Sequence, residues 1–174
     1  MVAKGGADPK AVVAVRQDLQ IFSRSLRFNV LLENPDVSIE QAQKAAELTC
    51  ADGFIGRLGW DKVLRERGGD LSVGEGQLLT FARTMAIDAN IVILDEATAS
   101  VDSVTEAKIQ QAIENIFIHK TVIVIAHRLS TIQQADIIVV LEKGRVVEQG
   151  SHGELLTLNG RYAELVEAGK AAVG

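Results

Sequence analysis

Apolar positions follow two different rhythms along this chain. In the second half, Ile91-Val92-Ile93-Leu94, Thr121-Val122-Ile123-Val124-Ile125 and Ile137-Ile138-Val139-Val140-Leu141 are short, nearly unbroken β-branched runs. Unbroken apolarity of strand length, rather than alternation, predicts strands buried on both faces of a largely parallel sheet. Between the first two runs Ile109, Ile113, Ile116 and Phe117 recur at helical spacing. The stretch therefore reads strand, helix, strand, which is an α/β pattern. After the third run, Glu142-Lys143-Gly144-Arg145 is a turn into Val146-Val147, and Ser151 with Glu154 has the spacing of a helix capping box. A hairpin and a C-terminal helix are expected to close the chain.

The first half has a helical texture from position 23 to position 86. Pro35 interrupts it, and Ser38 with Gln41 gives a second capping-box spacing ahead of an alanine-rich stretch. Gly68-Gly69 precedes Leu71-Ser72, and a further helix is expected from Glu75 through Arg83 to Met85. The pattern predicts a helical subdomain ahead of the sheet.

Composition adds limits. A chain of 174 residues, 47% hydrophobic and 24% charged, can bury one core. Its 18 Lys and Arg stand against 23 Asp and Glu, a formal charge of -5, with no basic run, which counts against nucleic acid as a partner. Cys50 is the single cysteine, so no internal disulfide can form, and residues 1–10 lack the charged-then-apolar order of a signal peptide. A reducing compartment is expected. The longest apolar runs are strand-sized, well short of the roughly 20 residues that cross a bilayer.

Candidate chemistry begins where the first apolar strand ends in Asp95-Glu96. Adjacent carboxylates at the C-terminal edge of a parallel sheet stand where open α/β folds bind ligands. Asp95 suits Mg2+ held through its water shell, and Glu96 suits an attacking water. His127 directly follows the second strand, at the same predicted edge. Leu71-Ser72-Val73-Gly74-Glu75 opens a helix, whose exposed N–H groups and positive dipole end suit a phosphate. The same Ser72 and Glu75 spacing also describes an ordinary capped helix start.

Taken in order, these residues resemble the nucleotide-binding domains of ABC transporters. Val15-Arg16-Gln17-Asp18 with Phe22 is similar to the Q-loop, Leu71 to Gln77 to the signature motif, and Ile91 to Glu96 to the Walker B strand and its glutamate. Ala99-Ser100-Val101-Asp102 is similar to the D-loop, and Ala126-His127-Arg128-Leu129-Ser130 to the H-loop of exporters. The resemblance implies a partial P-loop NTPase fold of the ABC ATPase type. It divides the chain into a lead-in with the Q-loop (1–22), a helical subdomain with the signature motif (23–88) and a RecA-like catalytic subdomain (89–174). It implies ATP and Mg2+ as ligands, sandwiched between two such domains, identical or different. On that resemblance Ser72, Gly74 and Glu75 meet nucleotide held by the partner, Gln17 and Asp95 serve the metal, and Gln17 also senses the γ-phosphate. Glu96 acts on the water, His127 pins the γ-phosphate, and Asp102 reaches across the interface. Glu66-Arg67-Gly68-Gly69-Asp70 is similar to the segment that touches the transmembrane part. The implied setting is the cytoplasmic face of the inner membrane, through a transmembrane domain of an exporter.

The phosphate-binding loop, G-x-x-x-x-G-K-[ST], occurs nowhere in the 174 residues, since the Gly169-Lys170 pair is followed by Ala171. Only sixteen residues precede Gln17. The expectation is a fragment, inactive alone. The signature also departs from its commonest form, with Val73 in the third place, Glu75 for glutamine and Gly76 where a basic residue usually stands. Two alternatives to an exporter ATPase are a non-hydrolysing regulatory module and an ABC ATPase of DNA maintenance. Glu96 and His127 count against the first, and the charge balance and the His127 segment against the second.

Overall fold

The computed structural model describes residues 12–15, 19–87, 89–95, 101–126 and 129–171. These form two compact units, Met1–Ile125 and Ala126–Gly174.

In the first unit, strands β1 (Val12–Val15), β2 (Ile91–Asp95) and β3 (Thr121–Ile125) form a parallel sheet in the order β1-β2-β3. Val12 is in register with Ile91, and Asp95 with Ile125. Parallel neighbours need a crossover between them. Between β2 and β3 it is helix α5 (Ser103–His119), which buries Ile109, Ala112, Ile113 and Ile116 as its spacing predicts. Val15, Val92 and Leu94 are buried, with Val122 and Val124 packed against the same core. The opposite face differs from the expectation of strands covered on both sides. Val12, Ile123 and Ile125 are exposed, because α4 and α5 supply apolar cover to one face only.

The helical part comprises α1 (Leu26–Leu31), α2 (Ile39–Leu48), α3 (Asp52–Leu58), a 3-10 turn at Glu66–Gly68 and α4 (Val73–Ala86). Pro35 falls in the break between α1 and α2, and the Ser38–Gln41 capping box closes reciprocally at the start of α2. Helix α4 is the axis of this unit, contacting α1, α2, α5 and β1. It buries residues on every side, from Leu78 and Leu79 to Phe81, Ala82 and Met85. A helix buried on all sides belongs in a core. Its two buried threonines are satisfied by their own helix, Thr80 donating to Gly76 O and Thr84 to Thr80 O.

In the second unit, α6 (Leu129–Gln133) precedes an antiparallel hairpin, β4 (Ile138–Glu142) and β5 (Arg145–Gly150), with a register shift at Val140/Leu141. The expected C-terminal helix is two, α7 (His152–Thr157) and α8 (Arg161–Ala171), separated by Asn159 at positive φ and Gly160. Ile138, Val140, Leu155, Tyr162 and Val166 form the core of this unit. Glu148 ties the hairpin to α8 by accepting the N–H groups of Arg161 (2.6 Å) and Tyr162 (2.9 Å).

Candidate functional site

Helix α4 begins at Ser72 because two side chains exchange hydrogen bonds there. Glu75 N–H donates to Ser72 Oγ (3.1 Å), and Ser72 N–H donates to Glu75 Oε2 (2.9 Å). With those two donors occupied, the N–H groups of Val73 and Gly74, in the first turn, face no acceptor within the helix. Together with the exposed Ser72 they form the positive end of a 14-residue helix. This donor set fits a phosphate oxygen.

Glu75 sets a carboxylate beside that end, the departure that the sequence makes conspicuous. Its charge is answered within the chain, since Arg57 of α3 donates from Nη2 to Glu75 Oε1 at 2.6 Å. Neither the distance in sequence nor the composition signals this pair. Two glycines of the motif have packing reasons, Gly76, which is a departure, and Gly74, which is not. A Cβ built on Gly74 would run into Cγ2 of Thr105 on α5, and one on Gly76 would stand 2.9 Å from Ile21 Cδ1 and 3.1 Å from Leu19 Cδ1. Both glycines are buried, so the neighbouring chain lies directly on the helix.

Asp102 is the N-cap of α5 and accepts Thr105 N–H at 3.0 Å. Hydrogen bonds from the Thr105 hydroxyl, and then from its backbone N–H, hold this carboxyl below the usual carboxylate range. Because Thr105 also rests on Gly74, the capped start of α5 and the capped start of α4 share a wall. A cavity of about 160 Å3 lies there, lined by Cys50, Ser72, Glu75, Thr105 and Lys108 among others. Ligand pockets run to about 300–1,000 Å3, so this hollow is too small for a nucleotide. Burial, then the nearby Asp52, pushes the Cys50 thiol up, which favours its protonated form.

Asp95 is the last residue of β2, half-buried, at the C-terminal edge of the parallel sheet. Gln17, Glu96 and His127 lie outside the described residues. The structure therefore brings Ser72, Gly74, Glu75 and Asp102 into one neighbourhood and puts Asp95 at the sheet edge. Among the described residues there is no cluster of three or more acidic, His or Cys side chains suited to a metal. No described helix is long and apolar enough to cross a membrane.

A parallel α/β sheet with a helical layer, a capped signature-type helix and a strand ending in Asp95 define a nucleotide-binding type of ATPase fold. The ABC transporter family model matches residues 5–99. The chain belongs to the ABC transporter family. It is 47% identical over 156 residues to the uncharacterized ABC transporter ATP-binding protein YknV of Bacillus subtilis, covering 88% of this chain and 26% of that protein. It is 46% identical to the ATP-dependent lipid A-core flippase of Legionella pneumophila strain Paris, covering 90% of this chain and 27% of the flippase. A solved bacterial Atm1-family ABC exporter with ATP bound superposes with a TM-score of 0.80 at 39% identity, over 91% of this chain and 28% of the exporter chain. The fold is therefore the ABC ATPase fold of exporter type, and the chain spans about a quarter of the length of these relatives.

Proposed function

We propose that this chain is the signature-bearing part of the ATPase domain of an ABC exporter, and that it acts on ATP held by a second such domain. The observation that carries this is the start of α4. Ser72 is exposed, the first-turn N–H groups of Val73 and Gly74 have no helical acceptor, and the one adjacent carboxylate is neutralised by Arg57. This surface fits a phosphate, and on the family resemblance that phosphate belongs to nucleotide held by the phosphate-binding loop of a second domain. Relatives described as ATP-binding and an exporter solved with ATP bound support ATP as the ligand.

In this reading Ser72, Gly74 and Glu75 form the trans face, and Asp102 reaches across the same interface. Asp95 and Gln17 would hold Mg2+, which supplies charge neutralisation at the phosphates when bound. Glu96 polarises the attacking water and His127 holds the terminal phosphate. Residues 1–22 act as lead-in and Q-loop, 23–88 as helical subdomain and 89–174 as catalytic subdomain. The chain works at the cytoplasmic face of a membrane through a transmembrane domain. The test starts with calorimetry on the 174-residue chain, for which ATP affinity weaker than millimolar is expected. In a domain completed with the phosphate-binding stretch of a relative, ATP is then expected to drive dimerisation. Submillimolar ATP binding by the chain alone, abolished by substitution of Asp95, would overturn the trans reading.

A further inference from the structure

Helix α4 is attached to the stretch that follows Gln17 at two places on one face. Gly76 and Arg83 lie seven positions apart, two helical turns, and so project to the same side. At Gly76 the absent side chain lets Leu19 and Ile21 rest on the first turns of the helix. At Arg83 the attachment is polar. The residue is 8% exposed, and its Nε donates to Asn29 O at 2.7 Å while Nη2 donates to Asn29 Oδ1 at 3.3 Å. Its guanidinium carbon stands 5.5 Å from the centre of the Phe22 ring.

Asn29 passes this grip onward. It is fully buried, its Oδ1 accepts Phe22 N–H at 2.9 Å, and its Nδ2 donates to Phe22 O and Ser25 O, each at 3.0 Å. One carboxamide thus holds both backbone groups of Phe22, and one guanidinium holds that carboxamide. Burying a guanidinium is costly, and here burial pushes its pKa down. Filling the same space needs no charge. What a methionine could not supply is the pair of directed donors that fix Asn29.

We propose that Arg83 is a positioning residue: through Asn29 it locks the backbone of Phe22 to the signature helix, so that a displacement of the stretch after Gln17 is carried along α4 to Ser72. The functional meaning rests on the roles given above to Gln17 and Ser72, but the link itself lies within this chain. Its two ends are Phe22 N–H at Asn29 and Glu75 N–H at Ser72. Between them runs one 14-residue helix whose interior is packed on all sides.

The test is residue-resolved amide hydrogen exchange on the full chain, with no nucleotide present. The amides of Ala51 and Ile55, bonded within the buried α2–α3 corner, serve as the ruler of general stability. Arg83→Lys, which keeps charge but loses the fork, is expected to speed exchange at Phe22 and Glu75 by about tenfold relative to that ruler. In an Asn29→Ala background, where the link is already cut, adding Arg83→Lys should change Phe22 by less than about twofold. Should Asn29→Ala not fold, Asn29→Asp keeps the acceptors for Phe22 and Arg83, and there Arg83→Lys must still accelerate Phe22. Equal acceleration at Phe22, Ala51 and Ile55, an identical factor in both backgrounds, or a Glu75 amide that ignores the substitution would overturn the proposal. Because no nucleotide enters, such a failure removes the link and leaves the roles of Gln17 and Ser72 standing; those fail only in ATP-dependent dimerisation.

Discussion

Gly74→Ala is a substitution whose sign depends on one methyl group. Gly74 is not at positive φ, so alanine meets no backbone strain there, and a helical Gly→Ala exchange is worth roughly 0.5–1 kcal/mol of added stability. Against that gain, the new Cβ collides with Thr105 Cγ2 and lies 3.3 Å from Thr105 Cβ and 3.4 Å from Val101 Cγ1. Helices α4 and α5 must part to admit it, and overpacking of this kind costs about 1–3 kcal/mol. The net expectation is a loss of about 1–2 kcal/mol. Thr105→Ser deletes only Cγ2 and keeps the hydroxyl that serves Asp102. In that background Gly74→Ala is expected to become neutral or stabilising by a few tenths of a kcal/mol. Urea unfolding followed by the fluorescence of Trp60, the single tryptophan, which packs against the core of the first unit, measures both. Equal effects of Gly74→Ala in the two backgrounds, within about 0.5 kcal/mol, would refute the contact as the cause. The doubly substituted chain also separates packing from ligand chemistry, since it restores the first and leaves any phosphate contact at position 74 altered.

Two further outcomes follow. In a completed domain, Glu96→Gln keeps size and hydrogen bonding but removes the charge, so hydrolysis should fall by about a hundredfold or more while ATP binding persists; an unchanged turnover rate would pass the role to His127. On acidification, Asp102 contributes with a definite sign: its folded pKa is depressed, so its capping bond stabilises fully above the ordinary value near 4 and is lost as pH falls through the lower folded value. Asp102→Asn keeps a capping acceptor without the titration, and should flatten the loss of urea stability as pH falls below about 4; an acid limb identical to the parent chain's would contradict that assignment.

Much of the fold was legible because local signals are short-range. The capping boxes at Ser38, Ser72 and Ser151 all close as their spacing predicts, and the periodic isoleucines of α5 are its buried face. β1 leaves little trace in the pattern, since Val12–Val15 offers only a brief apolar run. The exposure of Ile123 and Ile125 was illegible, because an unbroken apolar run looks the same whether one face is covered or two. At the candidate site, motif order proposes Ser72, Gly74 and Asp102, but the contacts that hold them in place leave no sequence signal. The Arg57–Glu75 pair joins two helices, and the fit of Gly74 to Thr105 depends on how closely α4 and α5 approach. Arg83 did leave a trace: it is a lone charge in the otherwise uncharged run Phe81 to Ala86, where an exposed face was not available. A charge in such a run demands a buried polar partner, and Asn29 is that partner.

The central claim is that Ser72 faces nucleotide held by a second domain, not by its own. In the completed domain, made hydrolysis-deficient by Glu96→Gln, Ser72→Arg adds bulk and charge only at the partner's site. The decisive measurement is ATP affinity under conditions that keep the protein monomeric, taken together with ATP-driven dimerisation by light scattering. The expected result is monomer affinity within about twofold of the parent and loss of the dimer. Loss of ATP binding by the monomer, or an intact ATP-bound dimer, would contradict the trans assignment and leave Ser72 and Glu75 as a helix cap and nothing more.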